Sequence, residues 1–114
     1  MIQNNIPLNS LQRFTLELLD ILELKNQCIL MDDYGSADEC RNREKKLLDS
    51  TDDSIIKAFN SDLRFIANNT GIQLDESRTS GFSTVKNIKN IRNLLTYYQS
   101  LRNNKINQIL KKDE

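Results

Sequence analysis

The chain has 114 residues, with 16 basic and 16 acidic side chains, 38% apolar and 28% charged residues. It carries no His or Trp, one Pro, three Gly and two Cys. This composition fits one soluble helical domain, argues against an all-β or collagen-like chain, and excludes imidazole-based catalysis.

The first predicted helix begins near Pro7 or Asn9, with Pro suited to a first turn and Asn9 or Ser10 placed to cap it. Leu11, Phe14, Leu18, Ile21, Cys28 and Met31 recur at helical spacing, widened by Leu8, Leu22 and Ile29. Leu16, Leu19, Leu24 and Leu30 lie on another side, so this helix is either central to a bundle or exposes a patch. A polar reversal follows at residues 32–36. The second helix runs from about Ser36 to Leu48, with Ser36 as N-cap, Glu39 as capping-box partner, and Asp38 and Glu39 in its first turn.

Pivoting the pair about Tyr34 sets Met31 opposite Ala37, Cys28 opposite Cys40, Ile21 opposite Leu47 and Lys25 opposite Arg43. The two cations of the last layer are expected to keep their charges in water, with Glu44 opposite Leu24 offsetting repulsion. Residues 49–53 form a break and cap cluster. A third helix spans 53–69, with Ile55, Ile56, Phe59, Leu63 and Ile66 inward and Gly71 as its stop. Residues 70–83 read as a loop anchored by Ile72, Leu74 and Phe82. The last helix starts at Ser83 or Thr84 and runs to Lys111, with Val85, Ile88, Ile91, Leu95, Tyr98, Leu101 and Ile109 inward and Leu94, Ile106 and Leu110 beside them. Asn, Lys and Arg occupy its other faces. The expected fold is therefore all-α, a single bundle of three to four helices with an N-terminal antiparallel hairpin (8–48) and a long basic C-terminal helix (84–111).

Charge is unevenly spread. Residues 1–76 carry 14 acidic and 8 basic side chains, whereas residues 77–112 carry 8 basic and none acidic. Either an acidic half packs on a basic half, or the basic helix faces an acidic partner or nucleic acid. Lys86, Lys89, Arg92, Arg102, Lys105, Lys111 and Lys112 are placed to track phosphates, with Tyr97 for stacking. No glycine-rich phosphate loop or helix-turn-helix spacing accompanies them. The paired acids at 32–33, 38–39 and 52–53 match no calcium loop and read as helix caps. Cys28 and Cys40 read as buried small thiols, and no zinc-ligand spacing is present. No cofactor or metal is expected. No signal peptide or long apolar span is visible, so a cytoplasmic setting without membrane insertion is the expectation. Abundant Asn, Lys and Ile suggest a bacterial or phage origin.

At the bend, Asp33, Tyr34, Ala37, Arg41 and Leu47 resemble the UVR motif, roughly Asp-Phe/Tyr-Glu-x-Ala-Ala-x-Leu-Arg-Asp with a Leu farther on. Gly35, Asp38, Cys40 and Asn42 stand where Glu, the second Ala, Leu and the final Asp are usual. UVR motifs are short helical hairpins of excision-repair proteins, Clp-type chaperone ATPases and stress-response adaptors. The resemblance implies protein–protein docking with Asp33, Tyr34 and Arg41 at the interface. The function expected is thus a non-enzymatic interaction module, an adaptor or small assembly component with a protein partner, able to homodimerise through the unmatched part of its last helix. A nucleic-acid-associated protein is the alternative.

Overall fold

The computed structural model describes residues 6–75 and 85–112, with side chains up to residue 102. Helices α1 (Leu8–Leu30), α2 (Tyr34–Ser50), α3 (Asp53–Thr70) and α4 (Ile88–Lys112), with a short 3-10 turn at Val85–Asn87, make the fold all-α, and no strand occurs among the described residues. No helix among the described residues is long and apolar enough to cross a membrane.

Three of the helices build the core. Leu11, Phe14, Leu18, Leu19 and Leu22 of α1 meet Ala58, Phe59, Leu63 and Ile66 of α3 and Ile91, Leu94, Leu95 and Tyr98 of α4. Phe14 and Phe59 meet edge to face, 5.1 Å between ring centroids. Each fully buried Leu here contributes about 1.5–3 kcal/mol relative to exposure, so α1, with three Leu at 0% exposure, is the main contributor. It packs on all the others and is therefore central. It also exposes Leu16, Leu24 and Leu30, while Leu19 of the same side is buried.

Helix α2 stands outside this core. Its buried positions are Ala37, Cys40 and Glu44, and its contacts are mainly with α1. Leu47 and Leu48 reach the margin of the main cluster. A helix with so few apolar residues cannot take a central place.

The helix boundaries differ from the sequence expectation where caps compete. Pro7 occupies the N-cap of α1 and its carbonyl accepts from the Ser10 and Leu11 amides at 3.1 and 3.3 Å. Asn9 and Ser10 are inside the helix and do not cap it. The break before α3 is only Thr51 and Asp52, because α2 continues to Ser50. Gly71 ends α3 as expected, at φ 73° with its amide on the Ala67 carbonyl at 3.0 Å. A Cβ is strained in that left-handed conformation, which Gly adopts freely.

Leu74 packs on the core. Phe82 and the expected start of the last helix at Ser83 or Thr84 lie outside the described residues. Two Asn of the last helix are not on a solvated face as expected. Asn87 is 0% and Asn90 1% exposed. The Asn87 amide pairs with the Asp75 backbone in both directions, accepting at 2.8 Å and donating at 2.6 Å. Asn90 Nδ2 donates to the Ile72 carbonyl at 3.3 Å. These amides replace the backbone partners that an extended segment lacks.

Candidate docking surface at the α1–α2 connection

The connection is shorter than the sequence suggests, and a different residue makes the bend. Asp32 adopts φ 59°, the only described non-glycine residue with positive φ. Its amide donates to the Ile29 carbonyl at 3.1 Å, and the Asp33 amide donates to the Cys28 carbonyl at 2.8 Å. That pair of bonds is a Schellman stop with Asp in place of the usual Gly. Asp33 is at once the last residue of this stop and the N-cap of α2. Its Oδ1 accepts from the Ser36 amide at 3.2 Å. This bond holds the Asp33 carboxyl below its ordinary pKa, against a smaller opposing effect of desolvation.

Three corrections follow. Ser36 is not the N-cap and makes no capping box with Glu39. Asp38 and Glu39 fall beyond the first turn of α2. The reversal does not extend to residue 36, because Tyr34, Gly35 and Ser36 are already helical. The Schellman stop turns the chain within two residues, so α2 begins two residues early.

The tight turn pushes apolar side chains into solvent. Leu30 is 76%, Met31 78% and Tyr34 62% exposed. Met31 therefore forms no layer with Ala37. Leu24, two turns before Met31 on the same strip of α1, is also exposed. Tyr34 donates its hydroxyl to Asp32 Oδ1 at 3.2 Å, which holds its ring over the bend. Arg41 lies two turns along α2 from Tyr34. It is exposed and ion-paired to Asp38 at 3.2 Å. Of the three expected interface residues, Tyr34 and Arg41 thus share an exposed strip of α2, whereas Asp33 is engaged as a cap.

Beneath the tip, the α1–α2 seam is more polar than expected. Lys25 does not face Arg43, which is exposed. Its Nζ meets Glu44 Oε1 at 3.5 Å, with both side chains about nine-tenths buried. Burial pushes the Glu44 carboxyl up, and the attraction of Lys25 offsets only part of that. The correction has a packing cause: the cation is carried inside, so it takes the nearest carboxylate, one residue from the simple pairing about Tyr34. Cys28 and Cys40 are both buried and free. Burial, and then the Cys40 sulfur with which it shares a hydrogen bond, push the Cys28 thiol up. A thiol held protonated is a packing group and a poor nucleophile.

The basic residues of α4 are less concentrated than the sequence implies. Lys86, in the 3-10 turn ahead of α4, and Lys89, Arg92 and Arg102 on α4 are exposed. Arg92 is bound to Glu23 of α1 at 2.8 Å, which joins the basic and acidic parts of the chain inside one fold. The side chain of Lys105 lies outside the described residues, as do those of Lys111 and Lys112. Tyr97 is half-buried and packs on Phe65 at 5.9 Å between centroids, so it is not a free stacking platform. Neighbouring Tyr98 is fully buried and donates to Asp62 Oδ2 at 2.6 Å. Burial pushes both groups up, and the bond to Tyr98 partly restrains Asp62. Sequence periodicity places Tyr98 correctly in the core but misses Asp62, which sits among the apolar positions of α3. The signal for it is the phenol itself, because a buried Tyr hydroxyl needs an acceptor.

The chain is thus an all-α domain with an exposed apolar tip. Comparison with protein-family models, with curated proteins and with solved structures finds no match.

Proposed function

We propose that the protein is a non-enzymatic protein–protein interaction module, an adaptor or small assembly component. Its working parts are an N-terminal antiparallel helical hairpin, α1 and α2, and the long helix α4. The observation that carries this reading is the exposure of Leu30, Met31 and Tyr34, close together in the chain at the hairpin tip. Exposed apolar residues gathered at a well-bonded turn are suited to docking a partner. Of the residues that carry the UVR resemblance, Asp33 caps α2, Tyr34, Ala37 and Arg41 lie in the half of α2 next to the tip, and Leu47 lies near its other end. A cytoplasmic setting in a bacterium or phage-infected cell belongs to the same proposal and rests on composition.

Affinity capture from the organism that encodes the chain tests the reading. The wild-type protein retains a specific protein, and Tyr34→Ser or Arg41→Ser loses it. Retention unaffected by either change overturns docking through the hairpin. A second reading, association with nucleic acid through α4 and the 3-10 turn before it, is supported by the exposure of Lys86, Lys89 and Arg102. It requires DNA or RNA binding that weakens steeply with salt. No binding at low salt removes it.

A further inference from the structure

We infer that the hairpin tip takes a cationic, amphipathic segment of its protein partner. The inference rests on the docking reading above and names the chemistry of that partner. Its first support is apolar. Leu30, Met31 and Tyr34 are each more than half exposed, and Leu24 extends the patch along α1. Unbranched Met adapts to varied apolar partners. The occupant therefore presents an apolar face.

The second support is charge. Between Lys25 and Arg41 the chain carries Asp32, Asp33, Asp38 and Glu39 and no cation. Lys25 is buried with Glu44, so it adds no positive charge at the surface. Arg41 is ion-paired to Asp38 and also attracts the buried Glu44. Asp32, Asp33 and Glu39 are exposed around the apolar residues. The rim thus repels an acidic segment and attracts a basic one. A partner helix with apolar residues on one face and Lys or Arg beside them meets both requirements.

The test uses the full chain and two synthetic probes, a short Leu/Lys amphipathic peptide and its Leu/Glu counterpart. Amide chemical shifts locate binding, and titration gives affinity. The Leu/Lys peptide perturbs residues 24–41, and the Leu/Glu peptide does not bind. Leu30→Ser with Met31→Ser, and separately Asp32→Asn with Glu39→Gln, each weaken binding about tenfold or more. All four positions are exposed, so circular dichroism and melting confirm that the variants remain folded. Perturbations elsewhere, or affinity unchanged in both variants, overturn the inference. Equal binding of the Leu/Glu peptide at the tip overturns it too, while the docking reading stands. Dimerisation through the tip in the absence of peptide names a second copy as occupant, and tip binding to phosphatidylcholine vesicles names a lipid surface. Either result overturns it.

Discussion

Replacing Tyr98 with Phe isolates one buried hydrogen bond. The phenol is 0% and Asp62 4% exposed, and the bond between them is 2.6 Å. Phe fills nearly the same volume, so packing is kept and the carboxylate alone loses its donor. Removing a partner from a buried charged acceptor costs about 1–3 kcal/mol. For a domain of this size each kcal/mol moves the melting point by roughly 4–8 °C, so a fall of about 10 °C at neutral pH is expected. The cost shrinks in acid, because a protonated Asp62 is neutral and can remain in place without the phenol.

The wild-type pH dependence has a definite sign. Burial raises Asp62 above its ordinary carboxylate value in the fold. Its contribution to stability is therefore complete below that ordinary value and is lost as pH rises through the raised one. Asp62→Asn removes the charge but keeps an acceptor for Tyr98, so it matches or exceeds wild-type stability at neutral pH and loses this acid-side gain. Urea melts of wild type, both single variants and the double variant, at pH 7 and near pH 4, separate the two effects. A Tyr98→Phe variant within about 0.5 kcal/mol of wild type at pH 7, with no change on acidification, refutes the reasoning.

Three further outcomes are expected. Lys25→Met alone strands the Glu44 carboxylate, costing about 3 kcal/mol in chemical melts, and adding Glu44→Leu restores most of it. Asp32→Gly relieves left-handed strain worth roughly 1 kcal/mol, so the variant melts at higher urea despite losing the exposed bond to Tyr34. Asp33→Ala speeds hydrogen exchange at the Ser36 amide at neutral pH. Because the Asp33 pKa is depressed in the fold, its stabilisation is present above the ordinary carboxylate value and lost as pH falls through the depressed one. Wild type and variant then converge in strong acid.

The apolar rows of α1, α3 and α4 were legible because burial at helical period leaves a strong signature in sequence. Leu11, Leu18, Leu63, Ile91 and Tyr98 all follow it into the core. Gly71 was legible because a left-handed stop favours one residue type. The bend before α2 was not, because Asp32 takes a left-handed conformation that Gly more often adopts, and Asp33 competes with Ser36 for the cap. Both residues are chemically able to cap a helix, and only the backbone path decides between them. The polar interior was hidden for a related reason. Lys25, Glu44, Asp62, Asn87 and Asn90 have surface-like side chains, and their burial depends on partners distant in the chain. The exposed tip is half legible: an aromatic at a bend marks Tyr34, but the helical spacing of Met31 points inward, since periodicity alone does not reveal where a helix outruns its neighbour.

The most direct test of the account is photo-crosslinking from position 31 in cells of the organism that encodes the chain. A photoreactive residue replacing exposed Met31 is predicted to give one dominant protein adduct, lost when Leu30 and Tyr34 are both changed to Ser. No adduct at position 31, or the same adduct with the tip altered, contradicts the claim that this molecule works by docking through its α1–α2 tip.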